Sequence, residues 1–159
     1  MKKVTENKKK VCYYDDGYKS VLEFEGEYLG YHILVVFRAG YRCGYVGLPK
    51  GFGEEAIRVL ERSLANLKVY NGISYAKEDL EDWGKKKYSY YIGFDCFSVK
   101  ENGGVDVDSA IRYDYGEKMM RWVYTLEKIG SNMFKDSAFV RSQCYSLVEQ
   151  LEEIRKGEV

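Results

Sequence analysis

Tyr41-Arg42-Cys43-Gly44-Tyr45-Val46-Gly47 and Tyr90-Tyr91-Ile92-Gly93-Phe94-Asp95-Cys96-Phe97 decide the fold of this chain. Each sets a cysteine beside glycine and aromatic residues on a stretch too apolar for a surface loop. The two read as strands of one sheet, lying together with little side-chain bulk at the glycines.

Upstream, Tyr31-His32-Ile33-Leu34-Val35-Val36-Phe37-Arg38 is nearly continuously apolar and β-branched, as a strand covered on both faces must be. Ala39-Gly40 turns it into the Cys43 strand, and the pair is expected at the sheet centre. Val11-Cys12-Tyr13-Tyr14 and Ser20-Val21-Leu22-Glu23-Phe24-Glu25 flank an Asp15-Asp16-Gly17 turn, a hairpin pattern. Downstream, Leu48-Pro49-Lys50-Gly51-Phe52-Gly53 is a loop. Ile57, Leu60, Leu64 and Leu67 then follow a helical period, with Glu54 and Glu55 at the favourable end of the dipole. Asn71-Gly72 marks a small hairpin or sharp bend. Lys77 to Lys87 is charged and carries Trp83, while Glu101-Asn102-Gly103-Gly104 reads as a connection. Met119, Trp122, Val123, Leu126 and Ile129 keep helical spacing. The last helix is the clearest, capped by Asp136, with an apolar stripe from Phe139 to Ile154 and a stop at Gly157. The fold class expected is α+β: a mainly antiparallel sheet of about four to six strands, covered on one side by helices including the C-terminal one. One domain is expected over residues 1–159, with residues 1–10 a frayed basic start.

Composition narrows the function. With 25 Lys and Arg against 25 Asp and Glu, no net field draws the chain onto nucleic acid, and short lysine runs read as solvated ends. No apolar run reaches the roughly 18 residues of a membrane span, and the basic start lacks the apolar core of a secretory signal, so a cytoplasmic, non-membrane protein is expected. Cys12, Cys43, Cys96 and Cys144 form neither a disulfide framework nor a Cys-x-x-Cys zinc pattern. Tyrosine is in excess, at 16 of 159 residues, and joins contact area to a polar tip. A surface of Arg38, Arg42, Tyr70, Trp83, Tyr90 and Tyr91 has the composition of a protein-binding hot spot or a nucleobase pocket.

Catalytic patterns are sparse. Cys96 beside Asp95 suggests a nucleophile, but the sole histidine, His32, lies in an apolar strand and reads as packed. Asp95, Asp106 and Asp108 would need to converge on a magnesium ion; Asp106 and Asp108 read as solvated loop carboxylates. Pro49-Lys50-Gly51-Phe52-Gly53 fits neither a P-loop nor a dinucleotide fingerprint. No catalytic residue, metal site or cofactor is assigned.

The order Arg42-Cys43-Gly44-Tyr45-Val46-Gly47-Leu48-Pro49-Lys50-Gly51, Val69-Tyr70-Asn71-Gly72-Ile73-Ser74-Tyr75, Ile92-Gly93-Phe94-Asp95-Cys96, then Phe139-Val140 and Cys144 through Gln150-Leu151 resembles a family of small, functionally unassigned bacteriophage and prophage proteins. The likeness spans roughly Phe37 to Ile154. It implies histidines at the positions of Phe52, Tyr70 and Ser98, near the family cysteine matching Cys96; this chain has none there. A metal would then have to take Cys43, Cys96 and His32 or Asp95. The resemblance implies a phage or prophage origin and hence the host bacterial cytoplasm; with the missing acid-base machinery and a tyrosine-rich surface of balanced charge, a non-enzymatic accessory protein binding a bacterial host protein is expected. Inhibition of a defence component such as a Cas effector is the role expected. The alternatives are a sponge for a cyclic nucleotide signal and a metal-binding protein or metal-dependent hydrolase.

Overall fold

The computed structural model describes residues 3–6, 11–14, 19–98, 103–129 and 133–157. The Asp15-Asp16-Gly17 turn, most of the lysine-rich start and Glu101-Asn102 lie outside the described residues. The architecture is α+β. Strands β1 (Lys3–Glu6), β2 (Val11–Tyr14), β3 (Lys19–Tyr28), β4 (Tyr31–Arg38), β5 (Tyr41–Pro49), β6 (Tyr75–Lys77) and β7 (Tyr88–Asp95) form an antiparallel sheet in the order β1-β2-β3-β4-β5-β7-β6. Lys3–Glu6, expected to fray, instead pairs with β2. The helices are α1 (Glu54–Arg62), α2 (Val107–Arg112), α3 (Glu117–Ile129) and α4 (Ser137–Arg155), the last capped by Asp136, whose carboxylate accepts the Phe139 N–H at 2.8 Å. No helix among the described residues is long and apolar enough to cross a membrane.

β4 sits at the centre, buried along its length from Tyr31 to Phe37. Alternation sends Tyr31, Ile33 and Val35 to one face, where they meet Val46, Leu48, Ile92 and Phe94, and α4 lays Val140, Cys144, Leu147, Val148 and Leu151 across them. Phe37 continues this face under α2 and α3, against Ala110, Met119 and Val123. All the helices that pack on the sheet therefore share one side. Leu34 and Val36 point the other way, with Cys43, Tyr45 and Tyr91, and no helix among the described residues covers them. The segment between β6 and β7 does so, folding Leu80 and Trp83 down as a flap.

Two details depart from simple period reading. The stripe from Ile57 to Leu67 is not one helix: α1 ends at Arg62, where the Ser63 hydroxyl donates to the Val59 carbonyl at 2.7 Å, and Leu64–Asn66 forms a separate 3-10 turn. Asn71-Gly72 makes a sharp bend, closed by Gly72 N–H donating to Val69 O at 3.0 Å. The strand before that bend is replaced by glutamines of α4. Gln150 accepts from Lys68 N–H at 2.8 Å and donates to Lys68 O at 2.9 Å, and Gln143 accepts from Tyr70 N–H at 2.8 Å.

β5 and β7 pair as the two cysteine-bearing segments require, with Tyr45 opposite Gly93 and Gly44 opposite Phe94. Each glycine makes room for the ring across from it. A methyl on Gly93 would lie 2.8 Å from the Gly44 carbonyl oxygen and press into the Tyr45 ring. Gly93→Ala is expected to destabilise by about 1–3 kcal/mol through overpacking. The check is a lower urea midpoint at unchanged slope; an unchanged midpoint would mean that both the Tyr45 ring and the Gly44 backbone give way without cost.

Candidate functional site

The six residues expected to form one surface lie on both sides of the sheet, and four of them are buried. Arg42 (5% exposed), Tyr90 (5%) and half-buried Tyr70 lie on the helical side, while half-buried Arg38, Trp83 (7%) and Tyr91 (1%) lie under the flap. Alternation along β7 does send Tyr90 and Tyr91 to opposite faces, but the flap covers the second face, so neither ring reaches solvent. Trp83 donates its indole N–H to the Ser20 hydroxyl at 3.0 Å, and Tyr90 donates to Glu61 at 3.2 Å. Tyr70 stacks edge-on to Phe139, and Arg38 donates to the Tyr45 hydroxyl at 3.2 Å.

Arg42 is the hub of a buried polar cluster. A β-bulge between Leu22 and Phe24 adds one residue to β3: Leu22 pairs with Val36 and Phe24 with Val35. Glu23 and Phe24 thus both face the helices. Glu23 receives Arg42 side-on, Nε to Oε1 at 2.6 Å and Nη2 to Oε2 at 3.1 Å. Nη1 donates to Asp106 Oδ2 at 2.9 Å and to the Lys135 carbonyl at 3.2 Å, and Nη2 reaches Ser109 Oγ at 3.2 Å. The Tyr113 hydroxyl also donates to Glu23, and the Phe37 ring lies 5.1 Å from the guanidinium carbon. Asp106 is no solvated loop carboxylate. It caps α2, accepting from Ser109 N–H at 3.0 Å and Ser109 O–H at 2.6 Å. Burial would raise its pKa, but those bonds and the Arg42 charge outweigh burial and hold it below its ordinary value. Every N–H of the Arg42 side chain is thus engaged inside the cluster, where one guanidinium serves two carboxylates.

Asp95, Asp106 and Asp108 do not converge. Asp95 accepts from Asn71 at 3.3 Å across the bend, while Asp108 stands exposed on the first turn of α2. Cys43 packs under the flap and Cys96 under the helices, so these thiols face apart. Among the described residues no three His, Cys, Asp or Glu side chains gather as metal ligands. Burial pushes the Cys43 thiol up to about 11 and the Cys144 thiol up to about 12, and raises that of Cys96 as well. Neutral, enclosed thiols are poor nucleophiles.

His32 is held at both ring nitrogens. Tyr91 Oη accepts from Lys85 N–H at 2.9 Å, so its own proton is assigned toward His32 Nδ1 at 2.8 Å. The imidazole proton then sits on Nε2, donating to Glu25 at 2.7 Å, and Tyr88 stacks on the ring at 4.7 Å. This has the outline of a nucleophile, base and orienting carboxylate. Burial, however, pushes the Tyr91 phenol up to about 12, which leaves the hydroxyl a donor rather than a nucleophile at neutral pH. A cleft of about 480 Å³ opens beside it, between Glu78, Asp79, Lys85, Lys86, Tyr88 and Ser89. It contains aromatic walls and two lysines but no arginine, and two carboxylates oppose the lysines.

A different surface escaped the sequence reading. Among the described residues, Leu29 and Val59 are exposed apolar side chains on the β3–β4 turn and α1, and Ile111, Trp122, Tyr124, Ile129, Met133 and Phe134 are exposed on α2, α3 and the approach to α4. Trp122 (44% exposed) and Ile129 (59%) were expected in the core stripe of α3. Only Met119, Val123 and Leu126 are. The signal was present in the numbering: 118, 122, 125 and 129 form a second stripe beside 119, 123 and 126.

No family model, no curated protein and no solved structure matches the chain.

Arg42→Met would leave Glu23 and Asp106 buried without their cation, and is expected to cost about 3–5 kcal/mol. A loss below about 1 kcal/mol in denaturant unfolding would remove the cluster from its central place. For His32 the sign runs against protonation: burial lowers its pKa below the ordinary 6.5 by more than Glu25 raises it, so the unfolded chain binds the proton more readily. Its stabilising contribution is complete above pH 6.5 and fades as pH falls through the depressed folded value. Between about pH 7.5 and about pH 5 the wild type should therefore lose more stability than His32→Gln. The reverse ordering would show that the Glu25 ion pair dominates.

Proposed function

We propose that this chain is a non-enzymatic accessory protein of a bacteriophage or prophage, working in the host bacterial cytoplasm by stoichiometric binding to a defence component, with a CRISPR-Cas effector the leading target. The viral origin rests on the resemblance of the Arg42–Gly51, Val69–Tyr75 and Ile92–Cys96 motifs. The observation that carries the mode of action is the division of side chains between inside and outside. Cys43, Cys96, Cys144 and His32 are buried, with both His32 nitrogens engaged, whereas exposed large apolar groups collect on α2, α3 and the approach to α4. Exposed large apolar side chains, Trp122 above all, are the material of a docking face.

A second reading, sequestration of a cyclic nucleotide immune signal, draws on the cleft beside Tyr88 and Tyr91, whose volume of about 480 Å³ suits a small molecule. Adding candidate nucleotides in a thermal-shift assay separates the two, since a ligand at 100 times its Kd stabilises by about 2.7 kcal/mol.

Expression in a CRISPR-bearing host is expected to restore phage plating, and inhibition of the purified effector should saturate near one copy per effector. Inhibition at far below equimolar amounts would identify a catalyst instead. No effect on plating would remove the defence target.

A further inference from the structure

We propose that the flap between β6 and β7, residues 78–87, is a pH-gated cover, held shut by a circuit of hydrogen bonds through His32 and released at Lys85 when that imidazole takes a second proton. The gate operates whatever the chain binds. The flap packs Leu80 and Trp83 over Leu34, Val36, Cys43 and Tyr45. Its own backbone hydrogen bonds are local, Gly84 N–H donating to Leu80 O at 2.9 Å and Tyr88 N–H to Lys85 O at 3.0 Å. Side chains therefore fasten it to the sheet: Trp83 on Ser20, Lys87 on Glu27, the Tyr75 hydroxyl on the Asp79 carbonyl, and Lys85 at two points.

The two Lys85 fasteners lead to opposite nitrogens of the His32 ring, which is 2% exposed. The Lys85 N–H donates to Tyr91 Oη at 2.9 Å, and that hydroxyl donates to His32 Nδ1 at 2.8 Å. The Lys85 ammonium pairs with Glu25 Oε2 at 3.0 Å, the same oxygen that accepts from His32 Nε2 at 2.7 Å. Every proton along Lys85, Tyr91 and His32 has its acceptor only while the imidazole is neutral. A proton from solvent added at Nδ1 sets N–H against O–H: two N–H donors then converge on the Tyr91 oxygen, and the phenol proton loses its acceptor. On the other side an imidazolium and an ammonium share one carboxylate oxygen, and Lys85, with 57% of its side chain exposed, is the partner that can leave for water. Both fasteners loosen together.

Glu25 and Glu27 of β3 favour the imidazolium, Lys85 of the flap opposes it, and Tyr88 and Tyr91 of β7 enclose the ring. Burial outweighs the carboxylates and holds the enclosed imidazole below its ordinary 6.5. Opening readmits water and returns the ring toward that value, so closure is complete above pH 6.5 and weakens as pH falls through the depressed value.

Hydrogen exchange on the full chain reads the gate through the Lys85 amide and the Trp83 indole N–H, at about pH 7.5 and about pH 5, with the intrinsic pH dependence of exchange divided out. Both protons should be less protected than the amides of β4 at either pH. Their protection should fall about ten- to thirtyfold on acidification, the upper figure being the most that an imidazole released to an ordinary 6.5 supplies at about pH 5. In His32→Gln, whose amide takes no charge, the fall should shrink below about twofold. Tyr91→Phe removes the oxygen that Lys85 and His32 share, and should lower Lys85 protection already at about pH 7.5, which carries the test should His32→Gln not fold. The gate is overturned if the flap protons exchange only as slowly as those of β4, since the flap then opens only with the whole chain. It is overturned equally if acid leaves their protection unchanged, if His32→Gln keeps the full response, or if Tyr91→Phe leaves Lys85 as protected as in the wild type.

Discussion

The arrangement depends on one buried guanidinium. Arg42 offers five N–H donors in a fixed plane, and partners from three places in the chain are set around it: Glu23 from the bulge in β3, Asp106 and Ser109 from the start of α2, and the Lys135 carbonyl ahead of α4. Only when sheet, α2 and the approach to α4 are all seated is this charge fully compensated. Burying ions contributes little net stability compared with apolar packing, but an ion left without its partners is costly. The cluster therefore acts against misplacement: a shifted α2 or a slipped β3 would strand at least one carboxylate in a dry interior. The bulge is part of the same device, because without the extra residue Glu23 and Phe24 would not both face the helices.

The tyrosine excess has a related explanation. Four of its hydroxyls donate to carboxylates of other elements: Tyr31 to Glu152, Tyr88 to Glu27, Tyr90 to Glu61 and Tyr113 to Glu23. Each ring fills core volume while its tip holds a carboxylate at the rim of the packing, and the Tyr31, Tyr90 and Tyr113 bonds tie the sheet to the helical side. Burial and the neighbouring carboxylate raise the pKa of Tyr31, Tyr90 and Tyr113, so these phenols remain donors. Tyrosine here serves mainly as an internal fastener, and the exposed aromatic surface is carried instead by Trp122 and its neighbours.

Much of this was legible in the sequence, for local reasons. The unbroken apolar run of β4, the glycine-aromatic alternation of β5 and β7 and the long stripe of α4 each state their own environment, and the sheet with helices on one side follows from them. What stayed hidden depends on partners distant in the chain. No local pattern reports that β3 gains a residue at Glu23, because a bulge exists only relative to β4. The charged stretch holding Trp83 gave no sign that it would fold over Tyr91, and that flap is why Tyr91 and Trp83 failed as surface candidates. Asp106 looked like a turn residue since its partner, Arg42, lies on β5. For Trp122, helical period placed it correctly on α3 but could not choose between two adjacent stripes.

The strand order carries a kinetic consequence. β3, β4 and β5 follow one another through tight turns, so their pairing closes only short loops and can form early. β7 reaches β5 only after α1, the 3-10 turn, β6 and the flap have been threaded between them, and α4, from the far end of the chain, must then cover β3, β4 and β5. Until it arrives, the apolar face of the meander stands open to water and to other chains. During synthesis the half-built, adhesive sheet thus precedes the helix that covers it, and the interval before α4 docks is when this domain is most exposed to aggregation.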